Sequence, residues 1–174
     1  LFYSLRDLSI PVLSKVSGQC LGGGMELVLM GNFIFADKTA KFGQPEIVLG
    51  VFPPPASVLL PEKIGLAKAE ELLITGKTIT ADEAMLMGLL NSVFEDKEAL
   101  HAGVNDWIEK NILSKSASSL RYAVKAVRAK MNHVLSNFLP QRESMYVHQL
   151  MQTGYANEGI ASFLNKSKPV WKNQ

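Results

Sequence analysis

Hydrophobic positions in the first half of the chain come in short runs cut by glycine and proline, whereas in the second half they recur at helical spacing. Residues 11–17 form an apolar run that predicts a buried strand stopped by Gly18. Gly22-Gly23-Gly24 opens a short helix over 25–30, closed by Gly31-Asn32. Met25, Leu27, Val28, Leu29 and Met30 predict that this helix is buried on most sides. Strands follow at 33–36 and 41–42. Pro53-Pro54-Pro55 stiffens a loop and fixes where the next helix can start, with helices near 56–64 and 66–73. Thr80-Ala81-Asp82-Glu83 fits a capping box, a hydroxyl at the cap and a carboxylate three residues on, and its helix ends at Gly88. A strand at 90–94 precedes helical segments at 97–112, 117–134, 138–153 and 158–164. Strands and helices thus alternate over 1–96, and 97–174 is helical. No repeat or Ser/Gly linker divides them, which predicts one folded unit of α/β class with a helical C-terminal region.

Composition narrows the function classes. The chain has 174 residues, 47% hydrophobic and 20% charged, enough to bury a core. A formal net charge of +2 gives no whole-molecule case for nucleic acid or an anionic membrane. Cys20 is the one cysteine, so no intrachain disulfide can form and the cytoplasm is the expected compartment. No apolar run reaches the ~18 residues that span a bilayer. Residues 1–8 read as the end of an amphipathic helix, so upstream sequence is expected to be missing; Arg6, Asp7 and Pro11 break any signal peptide. His101, His133 and His148 have no ligand-like spacing with Cys20, and no metal is expected. Lys115, Arg121, Lys125, Arg128 and Lys130 read as a solvated basic stripe on one helical segment.

The chemistry concentrates at two places. From Gly18 to Glu26 the chain passes through three consecutive glycines into a helix whose first-turn amides lack intrahelical partners. Such amides accept an anion or a developing oxyanion. The spacing matches neither dinucleotide nor triphosphate loops, and Glu26 one turn in would repel phosphate. A neutral thioester meets no such objection, and one well-placed donor to its oxyanion is worth ~2.7–4 kcal/mol. Glu26 by itself could equally complement the helix dipole, worth ~0.3–1 kcal/mol. Glu46, in Gly43-Gln44-Pro45-Glu46 ahead of an apolar run, reads alone as an exposed glutamate starting a helix. These residues separately leave both roles open.

Together they are specific. The sequence Gly-Gln-Cys-Leu-Gly-Gly-Gly-Met-Glu ending at Glu26, followed by Phe-Gly-Gln-Pro-Glu ending at Glu46, resembles the crotonase (enoyl-CoA hydratase) superfamily. The likeness continues through Leu73-Ile74-Thr75-Gly76-Lys77 and the tail Glu158-Gly159-Ile160-Ala161-Ser162-Phe163-Leu164-Asn165-Lys166. The resemblance implies a ββα spiral with a helical trimerisation region and assembly as a homotrimer or hexamer. It also implies an acyl-CoA substrate, with no cofactor beyond the CoA the substrate carries. Glu26 and Glu46 would be the acid–base pair and the Gly23 amide an oxyanion donor, while Phe163 and Lys166 would contact the CoA nucleotide, often of a neighbouring subunit.

Retention of both glutamates favours hydration over isomerase, decarboxylase or hydrolase branches. The segment from Leu49 to Glu62 replaces the usual glycine-rich loop and Gln-Arg pair, and with the tail Lys168-Pro169-Val170-Trp171 it resembles the branch acting on a cyclic dienoyl-CoA in anaerobic aromatic degradation. That branch adds water at the carbon β to the thioester and a proton at the far end of the ring diene. Val51-Phe52-Pro53 as an apolar wall beside Glu46 would suit a flat ring and raise the carboxyl's pKa. The alternatives are a straight-chain enoyl-CoA hydratase and a non-catalytic or RNA-binding homologue.

Overall fold

The computed structural model of the chain describes residues 1–171. A short helix, α1 (Phe2–Arg6), leads into a coil that repeats the order strand, strand, helix. The first coil is β1 (Leu13–Val16), β2 (Gln19–Leu21) and α2 (Gly23–Leu29). The second is β3 (Phe33–Asp37), β4 (Lys41–Gly43), a 3-10 turn (Pro45–Leu49), α3 (Pro54–Ile64) and α4 (Leu66–Thr75). Then come β5 (Thr78–Thr80), α5 (Ala81–Leu86) and β6 (Ser92–Phe94). Equivalent strands of successive coils stack into two three-stranded sheets, β1-β3-β6 and β2-β4-β5. The first is all parallel, with Leu13 opposite Phe33 and Phe35 opposite Ser92. In the second, β2 and β4 are parallel with Cys20 opposite Phe42, and β5 runs antiparallel to β4. This is the ββα spiral expected of the fold class.

Met25, Leu29, Ile34, Phe42, Leu60 and Leu72 are buried between the coils. Fully burying a side chain of this kind contributes roughly 1.5–3 kcal/mol. The helical region, α6 (Lys97–Ile108), a π turn (Glu109–Leu113), α7 (Ala117–His148), a 3-10 turn (Leu150–Gln152) and α8 (Gly154–Leu164), packs into the same body. Leu135 and Leu139 of α7 enter the main cluster, and Leu100 and Val104 of α6 cover Phe35. The Trp107 ring stands 4.7 Å from Phe33 and 5.2 Å from Phe35. No helix among the described residues is long and apolar enough to cross a membrane. Residues 172–174, the end of the expected helical region, lie outside the described residues.

Three local expectations need correction. The segment 19–21 is a strand rather than part of the turn, because its parallel ladder to β4 continues to Gly22, whose N–H meets the Gly43 carbonyl at 3.0 Å. β5 likewise exists through pairing with β4, and three residues are too few to show a period. The expected break between 134 and 138 is absent, and α7 runs on through Pro140. Leu135 and Leu139, one turn apart and fully buried, anchor the helix on both sides of Ser136-Asn137, so packing overrides local propensity. On α2, Met25, Glu26 and Leu29 are buried and Leu27 is 44% exposed.

Candidate active site

The turn into α2 requires glycine at position 22 for two reasons. Gly22 has φ +53°, and a methyl group there would lie 2.6 Å from Glu46 Oε1. A Cβ on Gly23 would come within 4.0 Å of Glu26 Oε2. Carboxylates twenty residues apart in sequence therefore lie against adjacent glycines of one turn. The Gly22 amide is used by Gly43, whereas those of Gly23 and Gly24 have no hydrogen-bond partner among the described residues.

Glu26 is buried in the first turn of α2. Its Oε1 accepts the Ala56 N–H at 3.0 Å. Pro54 and Pro55 lack N–H groups, so Ala56 supplies the first amide of α3, and Glu26 sits at that helix's positive end. Burial pushes the Glu26 carboxyl up to about 7, the Ala56 N–H pulls it down, and the nearby Glu46 adds to the rise. Glu46, half-buried on the 3-10 turn, is raised above the ordinary glutamate range by burial, with its own backbone N–H pulling the other way. Its Oε2 is buried without a hydrogen-bond partner. Burial therefore favours the neutral form of both carboxyls, and the charge of Glu46 favours it further at Glu26.

Gln44 lies fully buried beneath this turn. Its Nε2 donates to the Gly22 carbonyl at 3.4 Å, the same oxygen that accepts the Glu26 N–H at 3.0 Å. Val51 and Pro53 are buried beyond the 3-10 turn, the Val51 N–H donating to the Glu46 carbonyl at 3.2 Å. The Phe52 ring meets Tyr146 of α7 edge-on at 5.7 Å. The apolar segment expected after Glu46 is thus continuous with it.

Glu26, Glu46 and Gly23 are brought together. Phe163 and Lys166 are not drawn in with them: Phe163 is 63% exposed on the last turn of α8, and Lys166 is exposed just beyond it at φ +52°. Residue-by-residue reading missed the Ala56 amide, although a triple proline that strips a helix of its first donors was the signal for it. It also missed Gln44, which has no such signal.

Residues 1–174 match the family described as Enoyl-CoA hydratase/isomerase. The chain belongs to this family. It is 43% identical over 170 residues to cyclohexa-1,5-dienecarbonyl-CoA hydratase of Thauera aromatica, covering 98% of this chain and 65% of that protein. It is 38% identical over 171 residues to a probable enoyl-CoA hydratase of Mycobacterium leprae, with the same two coverages of 98% and 65%. The chain therefore spans somewhat under two thirds of the length of these relatives. Among solved structures, an enoyl-CoA hydratase from Mycobacterium avium subsp. paratuberculosis superposes with a TM-score of 0.88 at 25% identity, covering 99% of this chain and 70% of that one. Within the hydratase/isomerase family, the paired carboxyls beside free main-chain amides are the arrangement whose chemistry needs an account.

Proposed function

We propose that this chain carries the acid–base centre of an enoyl-CoA hydratase, a lyase that adds water across a conjugated double bond of an acyl-CoA thioester. The observation that supports it most is the lodging of Glu46 against Gly22 and Glu26 against Gly23, with both carboxyls raised by burial. One carboxylate takes a proton from water as its oxygen bonds to the β carbon. The neutral carboxylic acid delivers a proton to the other end of the unsaturated system. The Gly23 amide receives the charge that develops on the thioester oxygen. Water addition transfers no electrons, so the reading needs no cofactor beyond the CoA of the substrate. Phe163 and Lys166, exposed at the end of α8, are offered to the CoA nucleotide. Assembly as a homotrimer or hexamer belongs to the same reading, with Tyr122 and Val127, exposed on α7, as apolar surface available to a neighbouring copy.

The favoured substrate is cyclohexa-1,5-diene-1-carbonyl-CoA, hydrated to the 6-hydroxycyclohex-1-ene product. Two features support this choice: the 43% identity to the Thauera aromatica hydratase, and the apolar Val51-Phe52-Pro53 segment after Glu46, whose Val51 N–H donates to the Glu46 carbonyl. A flat carbocycle fits such a wall better than a flexible acyl chain does. The test is a direct comparison of kcat/KM for the cyclic dienoyl-CoA and crotonyl-CoA with the intact protein. A preference of at least about tenfold for the ring is expected, since pocket contacts of this size discriminate by ~1–3 kcal/mol. A clear preference for crotonyl-CoA overturns the ring assignment, and turnover of neither overturns the hydratase reading.

A further inference from the structure

The 3-10 turn that carries Glu46 is five residues long and ends at Gly50. Its closing bonds are Gly50 N–H to the Ile47 carbonyl at 3.0 Å and Val51 N–H to the Glu46 carbonyl at 3.2 Å. Neighbours on both flanks approach it through glycines. A methyl group at Gly76, which follows α4, would lie 2.8 Å from Ile47 Cγ2. On the other flank, a methyl at Gly159 of α8 would lie 2.0 Å from the Leu49 carbonyl oxygen, so this helix rests directly on the turn's backbone. The chain then folds back over α8. Glu158 Oε1 accepts the Ser162 hydroxyl at 3.1 Å and the Val170 N–H at 3.4 Å. That return brings the tip of the Trp171 ring over both glycines, 3.0 Å from a Cβ built on Gly50 and 3.1 Å from one built on Gly159. The Tyr155 ring braces it edge-on at 5.9 Å.

We propose that Trp171 is a positioning residue for Glu46, the tail acting as a clip that closes over Gly50 and fixes the end of the turn. The inference rests on Glu46 handling a proton in the hydration reaction, as read above. Gly50 sits at φ +71° and terminates the turn, so it is the point at which the turn can open. Glu46 lies four residues before it, and its carbonyl accepts from Val51 just past it. With the ring absent, Gly50 and Val51 are released together and the Glu46 carboxyl leaves its seat against Gly22. A misplacement of about 1 Å at the reacting group costs ~100-fold in rate. A tail that only binds the CoA nucleotide would change substrate affinity instead.

The experiment compares Trp171→Ala and Trp171→Phe with the unsubstituted intact protein. Trp171→Ala is expected to lower kcat by about 10- to 100-fold with KM within about twofold, and Trp171→Phe to restore most of kcat. A loss confined to KM, or an unchanged kcat, overturns the proposal. The second readout needs no turnover: the Glu46 carboxyl is titrated by NMR in carbon-labelled protein, its signal assigned by its absence in Glu46→Gln. In the unsubstituted protein it titrates above the ordinary glutamate range beside Glu26, and Trp171→Ala brings it down towards that range as water enters. A titration that Trp171→Ala leaves in place overturns the positioning role, whatever happens to kcat. If the protein hydrates no enoyl-CoA at all, the hydratase reading fails, and this titration still decides whether the clip seats Glu46.

Discussion

At the N-terminal end of α2, two carboxyls crowd the Gly22-Gly23 turn, whereas at its C-terminal end two cations, Lys63 and Arg128, reach the last carbonyls. Lys63 Nζ donates to the Gly31 carbonyl at 2.6 Å, and the Arg128 guanidinium donates to the Met30 carbonyl. Both ends complement the helix dipole by sign. They differ in how completely the charges are satisfied. Each cation has a backbone acceptor, although Arg128 Nη1 keeps none. The carboxyls hold a single amide donor from outside their own turn, that of Ala56, and Glu46 Oε2 has no partner. Burial shifts the charged groups at both ends towards neutrality, Glu26 up to about 7 and Lys63 down to about 8. Charges resting on carbonyls are explained by structure alone. Buried carboxyls beside free amides, one oxygen left without a partner, cost stability, and such perturbed groups cluster at reactive sites.

The largest effect should come from removing either carboxylate. Glu26→Gln and Glu46→Gln are each expected to lower kcat by about 100- to 10,000-fold, the usual contribution of a positioned acid or base. Binding of a CoA thioester should survive, because neither side chain is assigned to the nucleotide. At the other end of the helix, Arg128→Met and Lys63→Met should leave kcat within a few-fold. Stopped-flow or steady-state hydration assays measure both sets. Equal losses at the two ends would erase the functional distinction between them.

A smaller effect concerns stability and has a definite sign. Glu26 titrates at about 7 in the folded chain against an ordinary value of 4.5. A raised carboxyl stabilises the fold below its unfolded pKa, and that contribution is lost as pH rises through the folded pKa. The native protein should therefore lose stability between about pH 4.5 and 7, on the order of 2–3 kcal/mol at 1.36 kcal/mol per pKa unit. Glu26→Gln never ionises, so it should unfold at a higher temperature than the native protein at pH 8 and near the same temperature at pH 4.5. Thermal unfolding across that range checks it, and a Glu26→Gln protein less stable at pH 8 would show that the carboxylate is satisfied after all.

The N-terminal end of α2 was legible in the sequence because its chemistry depends on short local strings. Three glycines before Glu26 and Gly-Gln-Pro before Glu46 fix backbone shape within a few residues, and the fold class follows from alternating short strands and helices. The opposite end was not legible. Arg128 reads as part of a surface stripe with Lys125 and Lys130, yet it is only 4% exposed. Its burial depends on α7 packing against α3 and on Arg128 reaching the Met30 carbonyl at the end of α2, which no local period records. The strands β2 and β5 are hidden for the same reason, each existing through its pairing with β4. Trp171 is further still from local pattern, since its contact with Gly50 requires the tail to fold back on α8.

The smallest expected effects separate the two cations from each other. Arg128→Met leaves the Met30 carbonyl without its donor inside the protein, which costs about 1–3 kcal/mol. Lys63→Met removes a bond to Gly31 as well, but it also removes a buried ammonium that burial, and then Arg128, already disfavour. These contributions oppose, so the net loss should stay below about 1 kcal/mol. The sign again varies with pH. A depressed lysine contributes stability above its ordinary 10.5 and loses it as pH falls through about 8. Lys63→Met should therefore compare best with the native protein below pH 8 and worse towards pH 10.5. Urea unfolding at pH 7 and pH 10 measures the difference. A Lys63→Met protein that loses more than Arg128→Met at pH 7 would show the ammonium to be a net stabilising group, and the contrast between satisfied cations and unsatisfied carboxyls would then be one of degree.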